Sequence, residues 1–178
     1  MSDPRQRRRC RWAQSDPVLA RYHDAEWGRP VRQGRAHFER MTLELFQAGL
    51  SWRTILAKRP AFRAAFRGFD PRVVSRFTRR DVARLMRDAG IVRNRLKIEA
   101  AIDNAQRFLT AARRHGSFAR YLASIGPRPV GMMEALRRDF RFMGPLVAES
   151  YLMSVGLLPV RHEKDCFLRR AARGAGTS

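Results

Sequence analysis

The sequence predicts an all-α fold on three observations. Apolar residues recur at helical spacing through most of the chain. Capping residues, prolines and glycines punctuate those runs where helices start and stop. No stretch alternates apolar and polar residues as a half-buried strand would.

The elements follow in order along the chain. From His37 to Ala48, Phe38, Met41, Leu45 and Ala48 share one helical face, and the run ends in a Gly49-Leu50-Ser51-Trp52 turn. Asp70-Pro71 gives an N-cap followed by proline at the first helical position, where its missing N–H breaks no bond. Thr78 with Asp81 forms a capping box for a helix through Val82, Leu85 and Met86, expected to stop at Gly90. Arg95 to Ala112 sets Ile98, Ala101, Ile102, Ala105 and Leu109 along one face. Ser117 opens a short helix over Phe118, Tyr121 and Leu122, after which Pro127 and Pro129 interrupt the pattern. Met132 to Leu136 and Pro145 to Val155 supply the last helices, the second ending at Gly156. Histidines 37 and 115 read as ordinary surface or helix residues.

The chain has 178 residues, 44% of them hydrophobic, which suits one compact domain with a real core. Residues 10–168 are expected to form that domain. Residues 1–9, rich in arginine, form a basic extension, and residues 169–178 a flexible tail without an apolar anchor. Thirty-seven basic against 16 acidic side chains leave a net charge of +21. Self-repulsion on that scale opposes a compact fold unless a polyanion is the usual partner, so nucleic acid is expected. A coding bias toward arginine explains why only Lys58, Lys97 and Lys164 are lysines, but not the surplus of positive charge. No apolar segment follows the basic N-terminus, and no run reaches the roughly 18 residues of a membrane span. A cytoplasmic monomer with no membrane contact is the expectation.

Two cysteines and four histidines limit metal chemistry. His162 and Cys166 stand one helical turn apart, while Cys10 and His23 lie in an aromatic-rich segment at the other end of the chain. Together they make a Cys2His2 set suited to a closed, tetrahedral structural zinc. A Cys10–Cys166 disulfide, disfavoured in the cytosol, and four unrelated side chains are the other readings.

The segment from Leu43 to Trp52 places one carboxylate, Glu44, on an otherwise apolar helix. A buried carboxylate needs a donor or a cation, so Glu44 either pairs with a nearby arginine or reads a ligand. Trp12, Tyr22 and Trp52 offer flat faces on which a purine can stack.

The runs Tyr22-His23-Asp24-Ala25-Glu26-Trp27-Gly28, Glu44 to Trp52, Asp88 to Ile98, and Phe140-Arg141-Phe142-Met143-Gly144-Pro145, with the closing His162 and Cys166, resemble the 3-methyladenine DNA glycosylase I family in the family's own order. The resemblance implies a helix-hairpin-helix glycosylase fold with one structural zinc on Cys10, His23, His162 and Cys166. It implies a base-reading carboxylate at Glu44 in a pocket walled by Trp12, Tyr22 and Trp52. Gln47 and Leu50 would plug the gap left by the extruded nucleotide, and a hairpin around Gly90, Arg93, Asn94 and Arg95 would grip the phosphates of double-stranded DNA carrying alkylated bases. The activity implied is hydrolytic, monofunctional removal of 3-methyladenine. Asp103 lies in no supporting motif, and Lys97 reads better as a backbone contact or a solvated residue than as a lyase nucleophile. Leu19, Leu45, Phe46 and Leu146 depart from residues common in the family. A DNA-binding or lesion-sensing protein without catalysis is the alternative, and an RNA-binding module is supported only by charge and aromatics.

Overall fold

The computed structural model describes residues 7–169; residues 170–178 of the tail expected at 169–178 lie outside them, as do residues 1–6 of the expected N-terminal extension. Ten α-helices and no strand occur among the described residues: α1 (Arg11–Gln14), α2 (Pro17–Ala25), α3 (Gly34–Gln47), α4 (Trp52–Ala65), α5 (Pro71–Val74), α6 (Arg79–Arg87), α7 (Arg95–His115), α8 (Phe118–Ser124), α9 (Pro129–Asp139) and α10 (Pro145–Ser154). None is long and apolar enough to cross a membrane.

Helix α3 is the axis of the fold. Every residue from His37 to Phe46 is buried, and the helix packs on α4, α7 and α10. A helix buried all round normally carries apolar residues only. This one also carries four long polar side chains, each of which has to be accounted for. Glu39 accepts from Arg59 at 2.6 Å and from Arg63 at 2.8 Å, and Arg40 donates to Glu26. His37, expected as an ordinary surface or helix residue, is a buried residue of the helix. Its Nε2 donates to the Val31 carbonyl, which fixes Nδ1 as the acceptor of the Tyr151 hydroxyl, both at 2.9 Å. Burial holds His37 neutral by lowering its pKa to about 4. Glu44 is left for the site below.

The expected caps form. Asp70 and Ser117 accept amides of α5 and α8, and Thr78 with Asp81 closes the box on α6. Helix α6 ends at Arg87, earlier than the expected stop at Gly90. The Asp88 carboxylate accepts the Gly90 amide at 2.8 Å, giving the backbone a turn in place of another helical bond. Helix α7 runs past Ala112 to His115 and stops at Gly116, whose φ of 82° is the left-handed ending that favours glycine. Pro129 starts α9 instead of only interrupting the chain. Three helices were not expected. Asp16-Pro17 repeats the Asp70-Pro71 signature and caps α2 through Asp16. Short α1 carries little pattern, and Pro60 inside α4 masks a helix begun by the Ser51 cap.

Candidate active site and metal centre

The turn between α3 and α4 shapes one edge of the site. Gly49 takes φ of 81°, with open space where a Cβ would sit, so it serves the turn and not packing. Gln47 Nε2 donates to the Leu50 carbonyl at 2.9 Å, and Ser51 caps α4 through Thr54. Leu50 is left projecting into solvent.

Beside this turn lies a cavity of about 420 Å3 that brings together Trp12, Tyr22, Glu44, Gln47 and Trp52. Tyr22 and Trp52 meet edge to face at 5.2 Å, and Trp12 stands 6.5 Å from Tyr22. Leu19 from α2 and Ser150 and Met153 from α10 complete the wall. Leu19 therefore does touch the pocket, whereas Leu45 and Phe46 belong to the core and Leu146 is on the surface. A larger groove of about 810 Å3 between α7, α8 and α9 lacks this chemistry. Its acidic groups are taken, Asp103 by Arg107 and Asp139 by Tyr121 and Arg138.

Glu44 is 6% exposed and forms neither a hydrogen bond nor an ion pair among the described residues. The arginine partner open at the sequence level does not form. Desolvation raises its pKa from 4.5 to about 8, against the opposing pull of Arg40 one turn earlier. A carboxyl group so placed accepts a hydrogen bond in either protonation state, and a cationic ligand would draw it into the ionised form.

The turn between α6 and α7 adjoins the α3–α4 turn. Lys97 Nζ donates to the carbonyls of Phe46 at 3.0 Å and Ala48 at 2.6 Å, and Lys58 Nζ donates to Ala89 at 2.9 Å. Both amines thus tie backbone together. Gly90 is there for close approach, since a Cβ would come within 2.8 Å of Ala61. Asn94 caps α7 through the Lys97 amide. Arg93 is exposed without an acidic partner among the described residues, and Arg95 makes only a loose 3.6 Å pair with Glu99.

Behind the aromatic wall, Cys10, His23, His162 and Cys166 converge, with ligand atoms all within 4.8 Å of one another, a set that can hold a metal ion. The Asp24 carboxylate fixes the His23 ring through Nδ1 at 2.9 Å, and Arg9 grips Asp24 in turn. The Phe167 amide donates to the Arg8 carbonyl at 2.8 Å, joining the two ends of the described residues beside the cluster. Sequence reasoning missed Trp27 as a site residue. Its ring lies 5.2 Å from Trp12 and 5.0 Å from His162, so it lines the pocket on one side and the cluster on the other. Its place in the Tyr22–Gly28 run was the available signal.

The profile of the family described as Methyladenine glycosylase matches residues 12–133. The DNA-3-methyladenine glycosylase 1 of Escherichia coli (strain K12) is 36% identical over 170 residues, covering 84% of this chain and 91% of that protein. A crystal structure of 3-methyladenine DNA glycosylase I superposes with a TM-score of 0.82 at 36% identity, covering 90% of this chain and 98% of the other. A variant of such an enzyme in complex with 3-methyladenine superposes with a TM-score of 0.81 at 34% identity, covering 89% and 96%. Trp12, Tyr22, Glu44, Gln47 and Trp52 fall within the matched stretch, as does His23 of the Cys/His cluster, and the chain belongs to the methyladenine glycosylase family.

Proposed function

We infer that this chain is a monofunctional DNA glycosylase that removes 3-methyladenine from alkylated double-stranded DNA. The observation that carries the reading is the partnerless carboxyl group of Glu44 in an aromatic-walled cavity sized for a small ligand. Methylation at N3 leaves the purine cationic, so its glycosidic bond is already weak and the base departs neutral. Little acid catalysis is needed. The protein has to extrude the nucleotide, hold the base between Trp12, Tyr22 and Trp52, and accept its amino group at Glu44 while water attacks the sugar. Gln47 and Leu50, at the pocket rim, would fill the space in the duplex. Gly90, Arg93, Asn94 and Arg95 form the adjoining turn that would meet the phosphates. Helix α10 adds Ser150 and Met153 to the pocket wall. Lys58 and Lys97 are committed to carbonyls, which supports hydrolysis over a lyase route.

The test is free-base release from alkylated DNA beside gel-shift binding to undamaged duplex. Release of 3-methyladenine is expected. Binding without release would make the chain a lesion sensor on the same fold.

The pocket also sets a pH dependence. With Glu44 at about 8, the empty site holds a proton that a cationic base expels on entry. kcat/KM, which reports the free enzyme, should climb with pH to half its maximum near 8 and then level. kcat, which reports the complex, should lack that rise, because the bound cation keeps Glu44 ionised. A kcat/KM that is flat across this range would remove Glu44 from base recognition.

We further propose that the Cys/His cluster holds one zinc. Sulfur and nitrogen ligands at about 2.3 and 2.05 Å from a tetrahedral ion lie roughly 3.6 Å apart. The Sγ–N separations are 3.6 Å for Cys10–His162, 3.5 Å for Cys166–His23 and 3.5 Å for Cys166–His162. The Asp24–His23 contact is the outer support such a ligand needs. Four protein ligands leave no open position, so the ion would be structural.

A further inference from the structure

Arg40 is 6% exposed, and its Nη1 is the one fully buried side-chain nitrogen or oxygen without a hydrogen-bond partner among the described residues. Leaving such a donor unpaired is costly, and it calls for an explanation. Nη2 of the same guanidinium donates to Glu26, and the group lies over the Tyr22 ring, 5.1 Å from its centre. Arg40 stands four residues before Glu44 on α3, so the two side chains are neighbours on one face of the helix. One buried group lacks an acceptor and the next lacks a donor.

We propose that Arg40 is a positioning residue for base recognition: from behind Tyr22 its guanidinium turns the Glu44 carboxylate toward the ligand and favours its ionised form. The proposal rests on the glycosylase reading above. Other charged or titratable groups surround Glu44, but each is held elsewhere. Glu26, after α2, is bound by Arg40 and Arg59; on α4, Arg59 is taken by Glu26 and Glu39, and Arg53 by Asp16. Lys97 of α7 is spent on carbonyls, α10 gives the pocket only Ser150 and Met153, and Tyr22 is the remaining titratable neighbour. Arg40 is also the cation whose field acts on Glu44.

Arg40→Met keeps much of the bulk, removes the orphan N–H, and leaves Glu26 still bound by Arg59 at 2.9 and 2.8 Å, so the fold should survive. The experiment follows Glu44 directly, by carbon NMR of labelled glutamate carboxyls in the full-length protein, with Glu44→Gln to assign the signal. In Arg40→Met the Glu44 midpoint should move up by about one pH unit, a tenfold change in the proton equilibrium, and Arg40→Lys should restore most of the shift. In excision assays kcat/KM of Arg40→Met should fall about tenfold below the wild-type midpoint, with the deficit shrinking as pH rises. An unmoved Glu44 midpoint overturns the proposal. So does an excision loss of equal size at every pH, which would make Arg40 a prop for Tyr22 alone. Absence of base release by wild type would instead defeat the glycosylase reading, and the NMR midpoint would still decide the case of Arg40.

Discussion

Replacing Glu44 by Gln is expected to cut 3-methyladenine release about 10²-fold or more at pH 8, the scale of losing one well-placed charge in a dry pocket. The amide keeps the shape, removes the charge, and exchanges one acceptor for a donor that faces the amino group of the base. Stability should move the other way. The folded protein holds a proton on Glu44 up to about pH 8, whereas the ordinary carboxyl loses it near 4.5. Between those values the native state binds more protons than the unfolded chain, so this group's contribution falls by roughly 1.4 kcal/mol for each unit that pH rises. Gln has nothing to titrate, so the variant should melt above wild type, by a margin that widens as pH rises toward 8. Single-turnover base release and melting curves on the same sample check both halves. A variant that melts early but excises at the wild-type rate would make Glu44 structural.

Cys166→Ser is expected to lower zinc content and thermal stability together. The cluster joins residues near both ends of the described chain, and closing a loop of that size is worth about 5 kcal/mol of unfolded-state entropy on the disulfide scale. For a domain of this size the corresponding drop in melting temperature is roughly 10–20 °C. Purified wild type should carry about one zinc per chain. Base release should fall as well, even below the melting point, because Trp12 and Trp27 pack against the rings of His23 and His162. Metal-free protein of undiminished stability would refute the clip.

Much of the site was readable before the fold was known. Glu44, Trp12, Tyr22, Gln47 and Trp52 meet in one cavity, and the four Cys/His residues meet in one cluster, because each set sits in motifs whose residue types already stated a chemistry. What stayed hidden depended on partners distant in sequence. His37 read as an ordinary surface or helix residue, and only Tyr151 and Val31 closing around it reveal a buried one. Arg40 looked like one more arginine in a basic chain, and only burial marks it out. Lys97 was open between a backbone contact and a solvated residue, and only the fold shows that it clamps the end of α3. Helix α4 was masked because a local rule about proline outweighed the spacing of Ile55, Phe62 and Ala65, which tertiary packing then rewarded.

The position of Glu44 on α3 constrains how this enzyme can change over evolutionary time. That helix is interior on all sides, so a substitution in the pocket floor is also a substitution in the core and is selected for folding before it is selected for substrate. Two wall residues carry no such double duty. Leu19 and Met153 are only partly buried and can vary in size without disturbing the centre of the molecule. A lineage drifting toward bulkier or differently methylated bases would therefore be expected to record that history at its rim, while its floor stays as it is.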